Sequence, residues 1–380
     1  MTRFVHAADL QLGKATRFLR PEARDRYRQE RIDSIRAIGD VVRREGAEFV
    51  VVSGDVFDSN DVDRGQVVRR ALDAFGELSV PVFLLPGNHD HLGLRSVWHS
   101  VKQHAPANVV VLDDCGPRTA APGVEVVGSP WTSKRPLSDP AADAFDDLRP
   151  AGDTRRVLVA HGVVDAVFPV TDRIDQALIK LDALESALAD GRVHYVALGD
   201  RHSVTSVGST GRIWYAGTPE PCSWDETAPG HVLVVDLGET VEVRPIEVAR
   251  WSFETVSVVL ESAPDLDALR TRLTGGACKE RRAVRIVAEG SLSVAERAEL
   301  AEIVAELAET FGCLELHDMS GLQTRPDQVD PDELGLTGYQ RDAFDELVAL
   351  ATAEPPDERA ADALVLLDRM TRLAGIRNAA

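Results

Sequence analysis

Five short clusters in this chain carry side chains that bind metal ions or move protons. They are Asp9-Leu10-Gln11, Gly54-Asp55-Val56-Phe57-Asp58, Gly87-Asn88-His89-Asp90, His161-Gly162 and Gly199-Asp200-Arg201-His202. Taken singly, each has a plain structural reading. Asp9 can end a strand, Gly54-Asp55 can form a β-turn, the Gly-Asn-His-Asp run can be a loop, and His161 can be a satisfied core histidine. Together they offer carboxylates, an asparagine carbonyl and imidazoles. This mixed O/N donor set suits Mn2+, Fe2+ or Zn2+ better than Ca2+. No cluster contains cysteine, which argues against a structural zinc.

Each cluster follows a short apolar run: Arg3–Ala8, Phe49–Ser53, Val80–Leu85, Val157–Ala160 and Tyr195–Leu198. Runs of this length, rich in β-branched residues and bounded by turn residues, predict buried strands. Ile32, Ile35, Ile38 and Val42, at three- and four-residue steps, predict a helix between the first two strands. Alternating strands and helices indicate an α/β sheet whose site lies beyond the carboxyl ends of the strands. All five clusters sit at those ends.

Strands are also expected at Ile213–Ala216 and Val232–Leu237, with a domain boundary near Val248–Trp251. Residues 252–320 read as strand, helix, strand, helix, strand. Gln323–Pro331 reads as a linker. The tail reads as two helices parted by Glu354-Pro355-Pro356-Asp357, with an apolar stripe of Leu366, Leu367, Met370 and Leu373. The expected organisation is therefore a domain over 1–250, a small α/β cap over 251–322, and a linker with a helical tail over 323–380.

A chain of 380 residues is long enough for two or three domains. No leader-like segment precedes the first strand and no apolar stretch approaches the length of a membrane helix, so no membrane association is expected. Cys115, Cys222, Cys278 and Cys313 are widely spaced and are expected to be free thiols of a cytoplasmic protein. The formal net charge of −20 argues against a protein that coats nucleic acid.

The five clusters resemble the ordered motifs of calcineurin-like metallophosphoesterases: D-x-H, G-D-x-x-D, G-N-H-[DE], a lone His and G-H-x-H. Within that superfamily two stretches resemble the SbcD-type DNA-repair exonucleases. One is Phe4-Val5-His6-Ala7-Ala8-Asp9-Leu10-Gln11-Leu12-Gly13. The other is Trp214-Tyr215-Ala216-Gly217-Thr218-Pro219-Glu220-Pro221, followed by Trp224 and Glu226. The resemblance implies a layered α-β-β-α sandwich with a small α/β cap and a helical C-terminal tail. It also implies a metal-dependent DNA nuclease that hydrolyses phosphodiester bonds, acting with an SbcC-like coiled-coil ATPase, with a homodimer left open.

By the same resemblance, Asp9, Asp55 and His202 hold one divalent ion, with Gln11 in the place of its fourth ligand. Asp55 bridges to a second ion held by Asn88, His161 and Asp200. Mn2+ is the first expectation, with Mg2+ or Fe2+ as alternatives. His89 is the catalytic proton donor, and Asp58 orients it as a carboxylate orients an imidazole. Two positions depart from the family. Gln11 replaces a histidine, giving a weaker donor, and Asp200 replaces the first histidine of G-H-x-H, which shifts the site toward harder ions.

Between Lys14 and Arg36 stand eight basic residues and four acidic ones, a local excess of four positive charges. Lys14, Arg17 and Arg20 are the candidates for DNA phosphate contacts; Arg24 to Arg31 read equally well as a solvated helix face. A small-molecule phosphoesterase and a weakly active DNA clamp remain as competing functions. The net charge leaves room for the first, and Gln11 alone supports the second. The tail stripe is expected to dock on the ATPase, or else to pack back on the cap.

Overall fold

The computed structural model describes residues 1–136, 138–145, 148–167, 178–325, 336–353, 357, 359–367 and 370. Its contacts divide the chain into two units. One comprises Met1–Arg17 with Arg24–Ser252, the other Phe18–Ala23 with Phe253–Ala380.

The first unit holds strands β1 (Thr2–Ala7), β2 (Phe49–Val52), β3 (Val82–Leu84), β4 (Val109–Val111), β5 (Arg118–Ala121), β6 (Val124–Gly128), β7 (Arg155–His161), β8 (Tyr195–Gly199), β9 (Thr205–Val207), β10 (Ile213–Tyr215), β11 (His231–Leu237) and β12 (Val241–Glu247). Its helices are α1 (Pro21–Glu45), α2 (Arg69–Gly76), α3 (Trp98–His104) and α4 (Leu181–Ala189). One sheet runs β12-β11-β1-β2-β3-β4 and the other β5-β6-β7-β8-β10-β9.

The strands that lead to the clusters are mostly apolar, with buried residues on both faces because both faces are covered. In β1 to β3, Val5, Val50, Val52 and Leu84 join the core beneath α1 to α3. Phe4, Phe49, Val51 and Phe83 face inward and meet Val157, Val159, Tyr195 and Ala197 of the second sheet. Phe4 stacks on Phe49 at 4.7 Å and meets Tyr195 edge-on at 5.6 Å. A third core lies between the second sheet and α4. The layers are thus α-β-β-α. The parallel pairs β1–β2, β2–β3 and β7–β8 send five carboxyl ends to one edge.

The second unit contains β13 (Ser252–Leu260), α5 (Ala263–Thr274), β14 (Arg282–Ser293), α6 (Val294–Ala308), β15 (Cys313–Asp318), β16 (Leu322–Arg325) and α7 (Tyr339–Ala351). Ser293 and Glu296 form a reciprocal capping box that starts α6. Two expectations need correction. Residues 323–325, assigned to a linker, belong to β16, which pairs in parallel with the end of β14. The tail stripe, expected to dock on the ATPase or else to pack back on the cap, is only partly buried; the tail instead buries Leu336, Phe344, Ala351, Ala360 and Leu364 together with Val294 of α6. Leu367 packs against that cluster, whereas Leu366 and Met370 stay exposed. Leu373, residues 326–331 of the expected linker and the Glu354-Pro355-Pro356 break lie outside the described residues.

Packing of the tail makes a measurable prediction. Leu364 is fully buried, so Leu364→Ala should cost about 2–5 kcal/mol at that contact. Amide exchange over residues 339–367 should rise, with the melting of the first unit unchanged. Unaltered protection there would show that Leu364 does not hold the tail.

Candidate metal centre

The first two clusters are fixed by backbone hydrogen bonds. Asp9 N donates to Gly54 O, Gln11 N to Asp55 O, Leu12 N to Val56 O and Asp58 N to Leu12 O, all within 2.9–3.1 Å. The zipper sets Asp9, Gln11 and Asp55 side by side, at φ of 53°, 48° and 50°. Asp200 also has positive φ, at 96°. Strain of this kind persists where surroundings over-determine the backbone, and it concentrates at functional sites. Gly54 has a physical reason to be glycine. Its φ is +90°, and a Cβ there would lie 2.2 Å from His161 Nδ1. A Cβ on Gly199 would lie 1.9 Å from Ser53 O.

Donor atoms of Asp9, Asp55 and His161 lie within 4.8 Å of one another, all on buried residues. His161 Nε2 is 3.0 Å from Asn88 Oδ1, 3.5 Å from Asp55 Oδ1 and 3.8 Å from Asp200 Oδ1. Its Nδ1 contacts Ser53 O at 2.8 Å. Asp200 N donates to both oxygens of Asp9. His202 Nε2 is 3.9 Å from Asp9 Oδ1, and its Nδ1–H donates to buried Glu226 at 2.7 Å, which fixes the ring and its tautomer. The structure thus brings Asp9, Gln11, Asp55, Asn88, His161, Asp200 and His202 to one place.

His89 stands at the rim. Its side chain is 41% exposed, its N–H donates to Asp55 Oδ1 at 3.0 Å, and its Nε2 is 4.0 Å from Asp55 Oδ2. The expected partner group is wrong. His89 Nδ1 contacts the backbone carbonyl of Asp58 at 2.8 Å, while the Asp58 carboxylate faces Lys14 Nζ at 3.5 Å.

The basic candidates scatter. Lys14 is engaged with Asp58. Arg17 is exposed, and Arg20 donates to the carbonyls of Ala308 and Glu309 within the second unit. Arg31, grouped with a solvated face, is buried; its guanidinium donates to the carbonyls of Leu10 and Glu220 and to Tyr27 Oη. Its place was legible, because Tyr27, Arg31 and Ile35 step by four along the inner face of α1.

Two contributors escaped the sequence reading. Asp90, fully buried, accepts from Phe57 N at 3.0 Å and Gly87 N at 2.7 Å and so joins the second and third clusters. Its signal was the fourth position of G-N-H-[DE]. Trp131 donates from its indole to His161 O at 2.6 Å and lies edge-on to that ring; no sequence pattern announced it.

The profile of the calcineurin-like phosphoesterases matches residues 2–235, well over half of the chain. The chain belongs to that family. It is 29% identical over 119 residues to the uncharacterized metallophosphoesterase YhaO of Bacillus subtilis, a match spanning 30% of this chain and 28% of the relative. Among solved structures, a dimetal phosphatase from Danio rerio is 16% identical and covers 64% of this chain and 95% of its own, with a TM-score of 0.42. An archaeal phosphodiesterase is 14% identical and covers 65% and 99%, with a TM-score of 0.35.

Calcineurin-like phosphoesterases use divalent metals, and the electrostatics here fit such ions. Burial pushes the Asp9 carboxyl up to about 7 against the pull of His202 and His161, with Asp55 and Asp200 adding to the rise. Burial works against a charged His161, yet Asp55, Asp9 and Asp200 overcome it and hold the ring up to about 9. The clustered carboxylates therefore draw protons onto Asp9 and His161, a demand for positive charge that a divalent cation would meet instead.

Gln11 is 1% exposed and turned inward. Its Nε2 donates to Asp55 Oδ2 at 2.8 Å, and its buried Oε1 has no hydrogen-bond partner among the described residues. An amide oxygen is a weaker donor than imidazole, so the ion on the Asp9 side should bind less tightly than its neighbour. Histidine tolerates the positive φ of this position better than most residues. Gln11→His should tighten the weaker Mn2+ site by roughly 10-fold, on the scale of ligand-shell changes. Calorimetric titration reads this directly. Two equal, tight sites in the unmodified protein would refute the expectation, as would an unchanged affinity in the variant.

Proposed function

We propose that this chain is a two-metal phosphodiesterase acting on DNA, an SbcD-like nuclease that works in repair with an SbcC-like coiled-coil ATPase. The observation that carries the reading is the joining of the two SbcD-like stretches behind the centre. The Thr218 hydroxyl contacts Asp9 O at 2.8 Å and Glu220 O at 2.7 Å, and buried Arg31 bonds both Leu10 O and Glu220 O. The Gly217–Pro221 segment is thus the support of the loop that carries Asp9 and Gln11.

Asp9, Gln11, Asp55 and His202 would hold one ion, and Asp55, Asn88, His161 and Asp200 the other. Bound there, the ions would neutralise phosphate charge and acidify the attacking water. His89 does the chain's own chemistry. The Asp58 carbonyl accepts from its Nδ1–H, and Nε2 stands 4.0 Å from Asp55 Oδ2. As the bond from phosphorus to the leaving oxygen breaks, Nε2–H protonates that oxygen, while the water oxygen bonds to phosphorus and its proton passes to solvent. A small-molecule phosphoesterase is the second reading, favoured by the net charge of −20.

Stripping the protein with chelator and restoring Mn2+, Mg2+ or Fe2+ tests the proposal. The substrates would be single-stranded DNA, duplex ends, bis(p-nitrophenyl) phosphate and p-nitrophenyl phosphate. Mn2+-dependent scission of DNA is expected. Hydrolysis of the small esters with no cleavage of DNA would favour the second reading.

A further inference from the structure

In a chain with 62 acidic residues among 380, about one residue in six is a carboxylate. Two segments beside the centre contain none: residues 91–112 and residues 126–138. The first begins at the loop that follows His89, and the second contains Trp131. The two are joined, because Leu92 N donates to Trp131 O at 2.8 Å and Trp131 N to Pro86 O at 3.2 Å. Trp131 therefore bonds to residues on both sides of the Gly87–Asp90 loop while its ring lies against His161. Lys134 and Arg135 follow it, exposed. Leu94 and Arg95 stand in the other loop, exposed, and Leu94 is 101% exposed.

Many basic side chains among the described residues are paired with a carboxylate where they stand: Arg3 with Asp236, Arg36 with Asp33 and Glu77, Lys102 with Asp113, Arg156 with Glu125. Arg95, Lys134 and Arg135 have no carboxylate partner among the described residues. Across the neighbouring loop, whose Asn60 bonds to His91 O, Asp63 is spent capping Gly65 N and Gln66 N. An unneutralised cationic rim on a strongly acidic protein attracts a polyanion to that rim and repels it elsewhere. A bare leucine at its tip offers apolar area to a base.

We infer that the loops 91–95 and 131–135 form the contact surface for the DNA strand being cut: Arg95, Lys134 and Arg135 hold its phosphates and Leu94 packs against an unstacked base. This rests on the reading of the protein as a DNA phosphodiesterase and names the surface that would make it one. The surface differs from the Lys14–Arg20 segment, where Lys14 and Arg20 are already engaged.

The test compares full-length Lys134→Ala/Arg135→Ala and Leu94→Ala variants with the unmodified protein. Mn2+-dependent cleavage is followed on single-stranded oligonucleotides over a range of salt and on bis(p-nitrophenyl) phosphate, which is too small to reach the loops. Removing two phosphate contacts should raise KM for the oligonucleotide about 10-fold and lower the slope of log affinity against log salt by about 1.4. Leu94→Ala should raise KM about 5-fold through lost base contact and leave the salt slope unchanged, because an apolar contact releases no counterions. Turnover of the small ester should be the same in all three proteins, which also reports that the variants fold. Oligonucleotide kinetics unaffected by either variant, in a protein that does cut DNA, would overturn the inference alone. A protein that turns over the ester and never cuts DNA would overturn the nuclease reading and this surface with it.

Discussion

Replacing Asp55 by alanine should empty the centre and reduce phosphodiester hydrolysis to the level of a buffer control. Asp55 is the carboxylate around which the other groups are arranged: His161 Nε2 lies 3.5 Å from one oxygen, while Gln11 Nε2 donates to the other at 2.8 Å. A side chain proposed to serve both ions takes both away when it goes. The fold should survive. The variant loses buried hydrogen bonds from His89 N and Gln11, costing about 1–3 kcal/mol each. It also removes a charge that adds to burial in raising the carboxyls of Asp90, up to about 8, and Asp9. The two effects oppose each other, so the melting temperature should change little. Metal content by atomic spectroscopy, with calorimetric titration, decides the matter. Retention of one tight Mn2+ equivalent would show that Asp55 serves one ion only.

His89→Gln should lower turnover of DNA by roughly 10²–10⁴-fold, the scale of lost general-acid help, with both ions retained. The imidazole stands at the rim with Nε2 4.0 Å from Asp55 Oδ2, and its Nδ1 is occupied by the Asp58 carbonyl. Glutamine keeps the polarity and cannot deliver a proton. The loss should fall on kcat, with KM nearly unchanged. It should also be smaller on bis(p-nitrophenyl) phosphate, whose phenolate leaves without protonation. Loss of metal in the variant, or an equal loss on both substrates, would remove His89 from the proton-donating role.

Several features of this protein were written in its local sequence. Buried parallel strands carry mostly apolar residues on both faces, so β1, β2, β3, β7 and β8 were visible as short apolar runs, and their carboxyl ends located the five clusters. Glycine beside a candidate metal ligand, as at Gly54 and Gly199, marked loops whose backbones pass too close for a Cβ. The four-residue step Tyr27, Arg31, Ile35 marked the inner face of α1 even where the residue was arginine.

Tertiary structure decided whatever depends on partners distant in the chain. Asp58 could not be assigned to its carbonyl rather than its carboxylate, because the choice rests on where Lys14 and His89 meet it. Trp131 carries no period or motif of its own; it matters because folding sets it beside His161. Glu226 belonged to a motif whose sequence did not say that it meets His202. Arg20 and Lys14 looked like free cations because a list of residues contains no distances, and burial and pairing are set by distance. The tail stripe was visible as a period, but the period could not say that Val294, Phe344 and Leu364 would close on one another. Periodicity reports which face of an element must be covered. What covers it depends on the packing of the whole chain.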